Sequence, residues 1–182
     1  MNRTFRIVLV YGVIAGLVVA VPMVALMLTL TADTAPDNSA LYGYLTMIVA
    51  LTAVFLGVKH YRDKVLGGAV RFVPALLVGL AISAVASVIY AVGWEISLAL
   101  TGFDFPGAYM REMVEAARAN GASAAEIERI TQQAERFARL YANPLYRLPI
   151  TFVEMFPVGA VIALISAALL RNSRFLAARA LP

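Results

Sequence analysis

The chain has 182 residues, 62% of them hydrophobic and 14% charged, with a mean hydropathy of +0.81; a water-soluble domain is nearer half apolar and a quarter charged. Fifteen basic and eleven acidic residues cannot cover a protein of this size in water, so lipid is expected to solvate much of its surface. The absence of cysteine excludes disulfides, thiolate metal sites and thiol nucleophiles, and the net charge of +4 comes from basic residues beside apolar runs rather than from the contiguous, aromatic-laced patch that nucleic acid requires.

In chain order, residues 7–31 form a charge-free run long enough to cross a hydrocarbon core of about 30 Å with some tilt. It is expected to remain as a span rather than be removed as a leader, because it exceeds a leader's apolar core and lacks a clean cleavage site. Pro22 predicts a kink within it, and Gly12 with Gly16 offers a small face to a neighbour. An acidic turn over 32–39 leads to a second run, 40–58, and so short a connection makes the two antiparallel neighbours. The third run, 70–100, is longer than a bilayer needs and is expected to protrude at Trp94-Glu95. It carries Ala75, Gly79, Ser83, Ser87 and Ala91 at four-residue intervals. The fourth, 145–170, has a similar stripe of Gly159, Ala163 and Ala167, with Pro149 and Pro157 predicting a bend. Small-residue stripes let helices approach closely, within one chain or between two copies as a homo-oligomer. Their serines are expected to bond to carbonyls of their own helix.

Residues 106–142 are the one extended polar segment, and they read as a helical hairpin. Phe105-Pro106-Gly107 opens the first helix and Asn120-Gly121 stops it. Ser123 and Glu126 form a capping box for the second, in which Ile127, Ile130, Ala134, Phe137 and Tyr141 recur at helical spacing. Glu126 with Arg129 and Glu135 with Arg139 are spaced to pair on its polar face. The apolar stripe either packs on the bundle as a lid, docks a membrane-protein partner, or lies in the lipid interface; its near-neutral polar face favours protein over headgroups.

The fold expected is an all-α integral membrane protein, a single domain over 1–182 with four transmembrane helices and an extracytoplasmic amphipathic hairpin between spans three and four. Nine basic residues flank one side of the spans and six lie on the other, with eight of the acids. The denser side is expected to be cytoplasmic and to hold both termini. Tyr42, Tyr44, Tyr90, Trp94 and Tyr146 fall at the opposite interface, as an aromatic belt would.

Several stretches carry a family resemblance: Phe55-Leu56-Gly57-Val58-Lys59-His60-Tyr61-Arg62-Asp63-Lys64, then Gly67-Gly68 and Phe72; Ile89-Tyr90 with Trp94-Glu95-Ile96; Gly121-Ala122-Ser123 with Glu126-Ile127; Asn143-Pro144-Leu145-Tyr146-Arg147; and Phe152-Val153-Glu154-Met155-Phe156-Pro157-Val158-Gly159. In this order they resemble the bacterial membrane family known as domain of unknown function 4199, over nearly the whole chain. The resemblance implies a small four-span bacterial inner-membrane protein and brings no activity with it.

Glu154 and Glu95 are the acids that topology does not explain. Glu154 lies about 9 Å inside the expected hydrocarbon boundary, where a carboxylate must be neutral, paired or facing a wet cavity. With Glu95 and Arg147 at neighbouring helix ends, and Tyr90 and Trp94 beside them, a site of paired carboxylates or an arginine bridge is expected. Lys59, Arg62 and Lys64 lie in a tight turn whose expected role is topogenic, holding the positive side in, with contact to anionic lipid headgroups as a secondary role. Catalytic and phosphate-binding motifs are absent from the sequence, and with His60 alone no metal site, cofactor or enzymatic reaction is expected. Two functions stay open: a non-enzymatic binding or accessory protein acting through hairpin and bundle, and an oligomeric proton- or cation-coupled carrier or channel using Glu95 and Glu154.

Overall fold

A computed structural model describes residues 2–29 and 39–177, without the side chains of 29 and 39–42. Most of the acidic turn over 32–39, the Tyr42 side chain and Arg179 therefore lie outside the described residues. The chain forms α1 (Arg3–Thr29), α2 (Ser39–His60), α3 (Phe72–Thr101), α4 (Phe105–Ala119), α5 (Ala124–Tyr141) and α6 (Pro144–Leu170), and no strand occurs among the described residues. Four helices, α1, α2 with the turn that extends it, α3 and α6, are long and apolar enough to cross a membrane. Val49, Leu77 and Val153 on three of them are 63%, 60% and 59% exposed, surface that a water-soluble monomer does not leave bare in quantity.

The order of contacts gives the topology. Gly12 meets Val85, Gly16 meets Ile89 and Ala20 meets Gly93, so the numbers rise together and α1 runs parallel to α3. Gly79 meets Ala163 while Gly159 meets Ser83, so α6 runs antiparallel to α3. Helix α2 packs against α1 and α6 and reaches α3 across the bundle. The core where they converge contains Leu51, Val54 and Val58 of α2, Ile82 of α3, and Met155, Ala163 and Leu170 of α6, all fully buried.

The small residues set this geometry. A Cβ on Gly79 would lie 2.7 Å from the Ala163 Cβ, and one on Gly159 2.7 Å from that of Ser83. The α3 stripe is buried inside the chain between α1 and α6 rather than presented on its outer surface. Its serines donate within their own helix, Ser83 to the Gly79 carbonyl at 2.9 Å and Ser87 to that of Ser83 at 2.8 Å.

The segment from Lys59 to Lys64 is not a tight turn, and Arg62 does not reach headgroups. Helix α2 continues as a single π-helical turn, Tyr61–Val65, closed by the Leu66 N–H donating to the Tyr61 carbonyl at 3.2 Å. The reversal comes at Gly67 and Gly68, whose φ of +69° and +103° favour glycine. Arg62 is fully buried: its guanidinium donates to Asp63 at 2.6 Å and to the carbonyls of Phe175 and Leu176 at 2.8 Å each, tying the segment after α6 to the end of α2. Lys59 pairs with the same aspartate at 2.5 Å, so Lys64 alone of the three is exposed. His60 meets the Tyr11 hydroxyl at 3.1 Å.

Gly79→Val is expected to lower the melting temperature in detergent, through an overpacking cost of about 1–3 kcal/mol. Gly43→Ala, with nothing within 4 Å of the new methyl, should leave it unchanged or raise it. Equal losses in both would contradict close backbone approach as the organising contact.

Candidate functional site

Short, capped joints fix the hairpin to the bundle. Helix α3 ends at Gly102 in the left-handed conformation (φ +63°), and Asp104 caps α4 by accepting from the Gly107 N–H at 3.1 Å. Helix α4 stops at Gly121 (φ +75°), where the Ala122 N–H donates back to the Ala117 carbonyl at 3.0 Å. The Ser123 hydroxyl accepts from the Glu126 N–H at 3.3 Å to start α5. Asn143 caps α6 by accepting from the Leu145 N–H at 3.0 Å, with Pro144 in the first turn. Glu126–Arg129 and Glu135–Arg139 pair at 3.7 and 3.9 Å on the exposed face, as their spacing predicts.

The stripe of α5 turns inward. Ala134 and Tyr141 are buried, and Ile127, Ile130 and Phe137 are half-buried, so this face is largely covered by the chain itself rather than open to a partner. Five rings join α3, α4 and α5: Phe105 lies edge-on to Trp94 at 5.4 Å and beside Tyr141 at 5.2 Å, while Phe137 contacts Tyr141 at 5.0 Å and Tyr109 at 5.9 Å. The Trp94 indole N–H donates to the Tyr141 hydroxyl at 2.6 Å, which seats the hairpin on the bundle. Burial raises the Tyr141 phenol above the usual tyrosine range, against the opposing effects of Trp94 and Arg147.

Beneath this cluster is a cavity of 530 Å³ walled by α3, α4, α5 and α6, with Tyr90, Thr151 and Glu154 among its lining residues. A second cavity, of 380 Å³, lies between α1 and α2 and shares Tyr90, Trp94 and Glu154 with the first. The remainder of its wall is mainly apolar, including Pro22, Met23 and Met47.

The expected meeting of Glu95, Arg147 and Glu154 does not occur. The Arg147 guanidinium grips both oxygens of Glu95, with Nε to Oε1 at 2.6 Å, and donates its remaining fork nitrogen to the Tyr141 carbonyl at 3.0 Å. Glu154 lies seven residues further along α6, about 10 Å at helical rise, which is too far to share that arginine. It instead lines both cavities together with Tyr90 and Trp94. The two carboxylates thus have separate surroundings: Glu95 is neutralised in a bridge that ties α3 to α6, and Glu154 faces the cavities without an ion pair among the described residues.

Of the expected site residues, Tyr90, Trp94, Phe137, Tyr141 and Glu154 come together around one space. Phe105, Tyr109 and Met113 complete it and were not expected there, although their four-residue spacing marks one face of α4. Tyr141→Phe removes the acceptor of the indole N–H. It is expected to cost about 1 kcal/mol of stability and to shift the emission of Trp94, the only tryptophan; unchanged melting and emission would contradict the seating role of that bond.

No curated protein and no solved structure matches the chain. The family model described as Protein of unknown function (DUF4199) matches residues 10–172, from within α1 to just past α6 and including every residue of the site, and the chain belongs to that family.

Proposed function

We propose that the chain is a non-enzymatic binding protein of the bacterial inner membrane that holds a small ligand between its hairpin and its bundle. The observation that carries this reading is the composite cavity: four helices contribute its wall, and the hairpin supplies most of its aromatic surface. A volume of 530 Å³ falls within the range of about 300–1,000 Å³ typical of small-molecule sites. A lining mostly of carbon with few polar groups also fits such a site.

In this reading the hairpin lies outside and both termini lie inside. The distribution of charge supports that placement: Arg3, Arg6, Lys59, Lys64, Arg71, Arg171 and Arg174 gather at the end of the bundle opposite the hairpin. Because the chain has no cysteine, single substitutions at Ala125 and Ser173 permit a clean labelling test on intact spheroplasts. An impermeant maleimide is expected to modify Ala125→Cys and to spare Ser173→Cys until the membrane is opened; the reverse pattern would invert the topology.

The carrier reading rests on Glu154 and separates from the binding reading in proteoliposomes. Proton and alkali-cation flux is expected to stay at the level of empty vesicles. Flux above that level, abolished by Glu154→Gln, would replace the binding protein with an oligomeric carrier.

A further inference from the structure

We infer that the ligand of this cavity is an organic cation with an apolar body; the inference rests on reading the cavity as a ligand site and specifies what enters it. Charge comes first. Among the described residues Glu154 is the only charged side chain lining either cavity, and it has no arginine, lysine or histidine in ion-pair range. The arginine nearest in sequence, Arg147, is already committed to Glu95. A carboxylate in a wall whose other groups carry no charge disfavours anions and gains from a positive partner.

The rings select the kind of cation. Six aromatic side chains line the larger cavity, and ring faces carry the negative end of the quadrupole, so they attract a cation that can shed its water. A compact ammonium or metal ion holds its hydration shell tightly and would meet here one carboxylate, a few uncharged amide and hydroxyl oxygens and mostly carbon in its place. A cation wrapped in carbon gives up less, and its apolar body matches the methionines, leucine and valine of the second cavity. Tyr90, Trp94 and Glu154 belong to both spaces. The positive centre is therefore placed at their junction, with the apolar groups on either side.

Trp94 is both the sole tryptophan and part of this junction, so it reports directly on occupancy. The test titrates the purified full-length protein in an uncharged detergent with tetraphenylphosphonium and, separately, with tetraphenylborate, ions of matched shape and opposite charge. A saturable change in Trp94 emission is expected with the phosphonium, with the borate at least tenfold weaker. Glu154→Gln should weaken the phosphonium at least tenfold, whereas Glu112→Gln on the exposed face of α4 should not change it. Melting curves establish that both variants fold. Equal saturable binding of the two ions, or phosphonium binding unaffected by Glu154→Gln, would overturn the cation inference and leave the cavity reading standing. No saturable response to either ion from a folded protein would overturn both.

Discussion

Close approach of α3 to two neighbours organises this molecule. Gly12 and Gly16 bring α1 onto Val85 and Ile89, while Gly79 and Gly159 bring α6 onto α3 until Cβ atoms have no room. In lipid, helices gain little from hiding apolar side chains from one another, so association rests on packing and interhelical polar contacts, and small residues permit both. The stripe of α3 stays small from Ala75 through Ala91 and Gly93, and then gives way to Trp94 and Glu95. On α6 the matching change runs from Ala163 and Gly159 to Glu154, Thr151 and Arg147. The space at the hairpin end is thus a consequence of where the small residues stop, and the hairpin lies over it.

Two arginines tie down what the stripe does not. Arg147 joins α6 to Glu95 of α3 and to the last carbonyl of α5, so one side chain fixes three helices. Arg62 does the corresponding work at the other end, with no exposed surface and every contact going to Asp63 or to backbone oxygens of Phe175 and Leu176. Desolvating a guanidinium is costly unless its donors are satisfied, and removing one partner from such a site is far more damaging than the pair is stabilising. The hairpin's exposed pairs, at 3.7 and 3.9 Å, belong to a different class, worth about 1 kcal/mol or less each. Among the described residues no buried side-chain nitrogen or oxygen lacks a partner, which is what a bundle bathed in lipid demands of its few polar groups.

What could be read from the sequence was what local chemistry determines. Apolar runs longer than 18 residues mark four helices, Ser123 and Asn120-Gly121 mark helix ends, and the four-residue spacing of Ala75 to Ala91 marks a packing face; each signal involves residues a few positions apart. What could not be read depends on contacts distant along the chain. Nothing near Arg62 shows that two of its partners are carbonyls more than a hundred positions away, so a basic cluster beside a span reads as topology and headgroup contact. The grouping of Glu95, Arg147 and Glu154 fails on geometry: helical rise puts Glu154 about 10 Å from Arg147 along the axis, beyond a shared fork. The cavity is hardest of all to foresee, because its wall combines α4 and α5 with α3 and α6, and periodicity on any one helix does not reveal which face closes over which.

The two glutamates of the bundle are treated in opposite ways. Glu95 shows how this chain treats a carboxylate used to hold helices together: both oxygens meet one guanidinium, and the arginine is anchored in turn by a carbonyl. Glu154 has no such treatment. Among the described residues no guanidinium or ammonium pairs with it, and its side chain faces the spaces on either side instead of closing against a neighbouring helix. If a packing role were all that was required, glutamine or methionine would fill the volume without placing a charge on an apolar span. A carboxylate left open to a cavity walled by aromatic rings is what the proposed organic-cation site rests on, and the helix contacts that hold the bundle together do not depend on it.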